Sequence, residues 1–190
     1  VGSTTAIAQT PPFSVGGDAR VDPADFEITE FATGLTGPIS MQELADGSLL
    51  VGTTSGLLRL VDANDDGVAD GPGTVLYAGT GSLVYSVRVL GDLVFFAQNE
   101  TIAVLRAGAL PSDPITLETS FEIDLSVPWS HIAHTLAVRE LAPGSIELYF
   151  NVGSKEDDVA TAGTVPVTGA LTGQAEPDSI YRVLVDDTGP

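Results

Sequence analysis

The sequence predicts an all-β protein, a β-propeller of four-stranded blades with about three blades present. Three observations predict it. Short apolar runs alternate with turns bearing Gly, Pro, Asn or Asp along most of the chain. One internal order recurs three times: a strand, a turn, a very apolar strand, a turn, then a strand carrying arginine among aliphatic residues. The apolar central strands begin at Leu49, Leu93 and Leu148, spacings of 44 and 55 residues, which suit repeated units of four short strands. The 21 glycines and 12 prolines disfavour long helices. A β-sandwich also uses many short strands, but the repeated strand order favours the propeller.

Residues 1–25, with Pro11-Pro12 and Gly16-Gly17, read as an extended arm. Residues 26–190 read as the partial propeller. Residues 26–31 alternate apolar and polar, the pattern of a half-buried strand. Strands are expected at 39–44 and 48–54, joined by the Ala45-Asp46-Gly47 turn, and at 57–61. The second round places strands at 74–78, 84–90, 93–97 and 101–106. The third places them at 135–139, 146–152 and 179–185, with a polar insert before the last. Three blades leave strand edges open. The chain is therefore read as part of a larger ring, completed by the remaining blades as a second fragment or by another copy.

The formal net charge is −19, from 26 acidic and 7 basic residues, yet 43% of residues are hydrophobic. The apolar content supports a packed core rather than an acidic tail. The charge argues against nucleic acid and anionic membrane surfaces as partners and favours divalent cations. No apolar run is long enough to span a membrane as a helix, so no membrane insertion is expected. Cysteine is absent, which excludes disulfides, thiolate chemistry and cysteine-ligated zinc.

Residues 62–70 carry the strongest motif. Asp62, Asn64, Asp66 and Asp70 put side-chain oxygens at positions 1, 3, 5 and 9 of a tight loop, with Gly67 at position 6. That spacing wraps hard oxygen ligands around Ca²⁺, with the Val68 backbone carbonyl as a further ligand. Gly73 stands where a helix–loop–helix site carries its bidentate Glu, and the flanks read as strands. A structural calcium clip is expected, and a merely acidic turn is the alternative. Millimolar calcium outside the cell would suit such a loop, so an extracellular or periplasmic location is expected. Asn99-Glu100-Thr101 is an N-glycosylation sequon.

His131 and His134 are the two histidines, in a segment that leads into a strand. Such loops line the channel or ligand face of a propeller, and a histidine there can act as a base near neutral pH. A structural hydrogen-bonding role is the alternative. As a zinc site the pair lacks a third ligand nearby in sequence. Arg59, Arg88, Arg106, Arg139 and Arg182 lie in or beside strands and are expected to pair with carboxylates or run between blades. Lys155 follows the strand at 146–152 and could share the face of the histidines. Trp129, Tyr85, Phe95, Phe96, Tyr149 and Phe150 read as core, with Phe95 and Phe96 on opposite faces of one strand. No P-loop, dinucleotide fingerprint, nucleophile elbow or His-Glu-x-x-His is present.

The run from Thr36-Gly37-Pro38 through Met41 to Leu44-Ala45-Asp46-Gly47-Ser48-Leu49-Leu50-Val51 resembles the first blade of the soluble quinoprotein glucose/sorbosone dehydrogenase family. His131-Ile132-Ala133-His134-Thr135-Leu136 resembles that family's His-x-Gly-Gly-Arg-Leu stretch. Residues 148–154 resemble the strand that follows it, and residues 179–183 the strand after that. The resemblance implies a six-bladed ring, of which this chain would be the first half, with PQQ and calcium at its mouth. It implies that His131 takes the proton from a sugar hydroxyl while PQQ accepts the hydride. Ala133-His134-Thr135 replaces Gly-Gly-Arg, and Ser154 replaces the usual Asp. The family's cofactor-contacting residues lie in later blades, so the cofactor-binding residues of this chain are left unassigned. The loop at 62–70 is not that family's cofactor calcium site.

The functional expectation is thus a PQQ-dependent sugar or aldose dehydrogenase, active once the ring is complete. The alternative is a noncatalytic, calcium-stabilised extracellular propeller that binds protein or polysaccharide. A hydrolytic propeller such as a lactonase would need a central calcium held by carboxylates from several blades, and no such set can be assigned.

Overall fold

The computed structural model describes residues 28–110, 112–125, 134–154 and 163–187. The arm expected at 1–25, together with Trp129, His131 and Lys155, lies outside them.

Four strands, β1 (Ser40–Glu43), β2 (Leu49–Thr53), β3 (Gly56–Leu60) and β4 (Thr74–Ala78), form one antiparallel sheet in chain order. The next four, β5 (Val84–Leu90), β6 (Leu93–Gln98), β7 (Thr101–Arg106) and β8 (Thr116–Ile123), form a second meander. A third sheet holds β9 (Leu136–Ala142), β10 (Ser145–Val152) and β13 (Ser179–Asp186), with β10 in the middle. Between β10 and β13 the chain forms the hairpin β11 (Val165–Gly169) and β12 (Gly173–Ala175), and β11 pairs with β8 of the second sheet.

The fold is therefore all-β and propeller-like, with antiparallel sheets of four, six and three strands. Uniform four-stranded blades, the sequence expectation, hold for the first sheet alone. The second is a four-stranded meander whose outer edge, β8, is covered by the β11–β12 hairpin. An open edge exposes unpaired N–H and C=O groups. The hairpin pairs the Phe121–Ile123 end of that edge and buries Val165 and Ala175 against the same core. The polar insert of the sequence reading thus contains two strands. A further strand, β8, lies where none was expected. The strand expected at 26–31 does not form over its described part, residues 28–31. There the Phe31 carbonyl accepts the Ala69 N–H at 2.8 Å, so its partner is the acidic loop rather than a ladder.

The second sheet is buried on both faces. One face of β6 contributes Val94 and Phe96 to a core with Leu50, Leu57 and Leu76 of the first sheet. The other contributes Leu93, Phe95 and Ala97 to a core with Leu136, Leu148 and Phe150 of the third. Phe95 and Phe96 do face opposite ways, as the period of two requires. Each buried aromatic contributes about 1.5–3 kcal/mol of transfer free energy, so β6 anchors both interfaces.

The strands β1, β5 and β9 lie side by side, β1 against β5 and β5 against β9. The Ser40 hydroxyl donates to the Val84 carbonyl at 2.8 Å, and the Leu136 N–H donates to Ser86 Oγ at 3.1 Å. These contacts join the beginnings of the three strands, which therefore share one end, called here the leading end. Strand alternation puts the acidic loop, the β1–β2 and β5–β6 turns and the β7–β8 connection at the opposite, trailing end.

Candidate functional site

His134 stands at the leading end, two residues before β9, and is fully buried. Its Nδ1 lies 2.6 Å from the Asn151 carbonyl oxygen near the end of β10. A carbonyl only accepts, so Nδ1 carries the proton and Nε2 presents a lone pair. Nε2 is buried and has no hydrogen-bond partner among the described residues. Burial holds the His134 pKa below its ordinary value, and the bond to the Asn151 carbonyl partly opposes that shift. The Asn151 side chain accepts the Thr135 N–H at 2.5 Å. One asparagine thus fixes both His134 and Thr135. The alternative offered for the histidine pair, a structural hydrogen-bonding role, describes the Nδ1 side of His134.

The acidic loop lies at the other end of the sheets. Asp62 accepts the N–H groups of Asp66 (3.2 Å) and Gly67 (2.8 Å). The Asn64 side-chain oxygen accepts the Asp66 N–H at 3.0 Å, and Asp66 accepts the Val68 N–H at 3.0 Å. Asp70 accepts the Ala63 N–H at 2.7 Å and closes the loop. Gly67 has φ 81, a left-handed conformation that suits glycine. The donors are all hard oxygens, the chemistry calcium requires. Among the described residues no three acidic or histidine side chains converge into a metal group. Calcium held by Asp62, Asn64, Asp66, the Val68 carbonyl and Asp70 would draw these oxygens inward from their backbone partners.

Four of the five strand arginines pair with carboxylates. Arg59 bonds Asp46 at 2.6 Å, and the Ser48 hydroxyl with Arg59 lowers the Asp46 pKa to about 2. Arg106 holds Asp92, Glu118 and Asp187, joining β7 to the chain just after β13. Arg139 and Arg182 flank Glu147 at 2.6 and 3.0 Å. Arg88 instead donates to the Val87 carbonyl. Asn99, half-buried with φ 52, lies in the β6–β7 turn at the leading end.

The described residues contain a cavity of about 310 Å³ between the first two sheets, at the trailing end. Its charged rim is Asp46, Asp92 and Asp113. PQQ is a tricarboxylate and needs cationic or amide donors, so this cavity does not fit it, and no cofactor contact is assigned to the described residues. Two features escaped the sequence reading. Glu147 was read as one residue of an apolar strand, and the signal that it is special, arginines at 139 and 182, depends on strand pairing. The cavity has no sequence signal.

No known family matches the sequence, and no curated protein does. Among solved structures, the chain is similar to a Trichoderma reesei carbohydrate-active enzyme of family AA12. To its iodide structure the identity is 18% and the TM-score 0.51, over 73% of this chain and 37% of that one. To its calcium structure the identity is 19% and the TM-score 0.52, over 73% and 36%. The holo pyranose dehydrogenase PQQ domain from Coprinopsis cinerea gives 19% identity and a TM-score of 0.49, over 70% and 34%. The chain spans little more than a third of these proteins. At such identities the AA12 likeness shows a shared fold.

Proposed function

We propose that this chain is part of a propeller oxidoreductase that acts on a sugar, with PQQ as cofactor and His131 as the base. What carries the reading is the shared leading end of β1, β5 and β9, where His134 stands three residues after His131. The His131-to-Leu136 motif and the AA12 fold likeness support the same class. In this reading His131 takes the hydroxyl proton from the sugar. Bound PQQ supplies a two-electron acceptor, and the groups that hold it come from outside the described residues. The remaining blades, as a second fragment or another copy, complete the ring. The loop at 62–70 binds calcium as a structural clip, remote from His134. An extracellular or periplasmic location fits a weak calcium site, and the Asn99 sequon is glycosylated if the chain passes through a glycosylating pathway. Among the described residues no helix is long and apolar enough to cross a membrane.

A second reading is a noncatalytic calcium-stabilised propeller that binds protein or polysaccharide. The burial of His134, where the resembled family has glycine, favours it.

The test is native and denaturing mass of the purified protein, followed by PQQ titration and sugar-dependent reduction of an artificial electron acceptor. The oxidoreductase reading expects a completed ring, saturable PQQ binding and activity that His131→Ala abolishes while PQQ binding remains. A completed ring that binds no PQQ, or a monomer of 19.5 kDa without activity, overturns it.

A further inference from the structure

We infer that the trailing-end cavity is a binding site for an organic cation with an apolar body, of the arylalkyl-ammonium class. The inference is independent of the oxidoreductase reading, since the cavity is at the end opposite His134.

The cavity's size, about 310 Å³, is at the lower end of small-molecule sites. Its floor is aliphatic: Leu50, Leu76, Val94 and Ile115 are all buried and all line it. No serine, threonine, asparagine or glutamine side chain lines it, and the aliphatic floor would leave the hydroxyls of a sugar away from the rim carboxylates without partners. Its charged lining is acidic, which excludes an anion. Asp46 and Asp92 each share their charge with an arginine, Arg59 and Arg106. Asp113 is different. Its carboxylate accepts the Leu110 N–H at 2.9 Å, and among the described residues it pairs with no cation. Gly108 packs against it so closely that a Cβ there would fall 2.2 Å from Asp113 Cβ. The connection therefore holds Asp113 at the rim, half-buried, with one charge left for a ligand. An apolar body on the floor and an ammonium at Asp113 satisfy both parts of the cavity at once.

The test is calorimetric titration of the whole chain with 3-phenylpropylammonium, 3-phenylpropanol and 3-phenylpropanoate. The proposal expects a single site for the ammonium, with the alcohol weaker by about tenfold, the value of one modest charge-assisted contact. The carboxylate should not bind. Asp113→Asn, which can keep the bond to Leu110, should bring the ammonium down to the alcohol's affinity and leave the alcohol unchanged. Val89→Phe, which fills the cavity from its half-buried wall, should abolish both, with folding checked by circular dichroism. Equal binding of ammonium and alcohol overturns the proposal. So does ammonium binding that survives both substitutions, which would mark general attraction to an acidic surface, and so does no binding at all.

Discussion

Ser86 and Leu136, 50 residues apart, are joined by a hydrogen bond from the Leu136 N–H to Ser86 Oγ across the junction of the second and third sheets. Both residues are buried. Water cannot replace the hydroxyl there, so Ser86→Ala leaves a buried N–H without a partner, a cost of about 1–3 kcal/mol. Ser40 makes the matching contact to Val84 between the first and second sheets. Its removal should cost less, about 1 kcal/mol, because a carbonyl tolerates losing a partner better than an N–H does. Urea melts of the two variants measure the difference. Equal losses would show that the two junctions do not differ in this way.

Gly52 permits the first of these junctions. A Cβ at Gly52 would lie 2.4 Å from Ser40 Oγ and 2.7 Å from Val84 Cγ1. Gly52→Ala should force β1 and β5 apart and destabilise the chain by about 1–3 kcal/mol. The double variant with Ser40→Ala should recover part of that loss, because it removes the closest clashing atom. Additive losses in the melts would contradict this.

The strands β5 and β7 fall on the bounds the sequence predicts, 84–90 and 101–106. Their apolar residues face two cores, and glycine- or asparagine-bearing turns bound them. The strand β8 escaped because most of its side chains are exposed, Leu117 among them. Its identity comes from pairing with β7, a tertiary fact. The β11–β12 hairpin escaped for the same reason, since it is defined by the edge it covers. At the site, the spacing of the acidic loop was legible because its contacts are local. The His134–Asn151 bond was not, because it depends on how β9 and β10 pair.

The calcium reading of the loop has a thermodynamic signature. A ligand that binds the folded chain at a hundred times its Kd adds about 2.7 kcal/mol. Millimolar calcium should therefore raise Tm, and chelation should reverse the rise. Asp66→Asn keeps an oxygen for the Val68 N–H but removes a charge, so it should weaken calcium binding by about tenfold or more. Thermal melts in calcium and in chelator decide the matter. Identical melts would leave an acidic turn.

His134 makes stability depend on pH. Its folded pKa lies below the ordinary 6.5 because burial disfavours the charged ring. As pH falls below about 6.5 the unfolded chain gains a proton first, so stability is full above that value and declines below it. The decline has a limiting slope of about 1.4 kcal/mol per pH unit until the folded ring is itself protonated. His134→Gln removes the titration and retains a donor for the Asn151 carbonyl. Its stability should be flatter than that of the parent between pH 7 and 5. Parallel profiles from denaturant melts would contradict the burial argument.

Glu147 also costs stability as pH falls, in a lower, carboxylate range. It is 2% exposed, on the face of β10 turned away from the second sheet. Tyr149 donates its hydroxyl to it at 2.7 Å, Arg139 its Nε at 2.6 Å and Arg182 its Nη1 at 3.0 Å. The Tyr149 hydroxyl and then Arg139 hold the Glu147 pKa below the usual carboxylate value. A carboxylate shifted down contributes stability above its unfolded pKa and loses it as pH falls through the folded value. The Arg139 and Arg182 side chains are 64% and 59% exposed, so solvent screens both ion pairs. The tyrosine bond should therefore carry much of the effect. Tyr149→Phe should remove a large share of the acid sensitivity that Glu147→Gln removes in full. Arg182→Gln should remove less than Tyr149→Phe, and added salt should weaken the arginine contributions alone. Melts of the three variants at neutral and acid pH, in low and high salt, give the ranking. If Arg182→Gln costs more than Tyr149→Phe, the ion pairs rather than the hydroxyl hold Glu147 ionised.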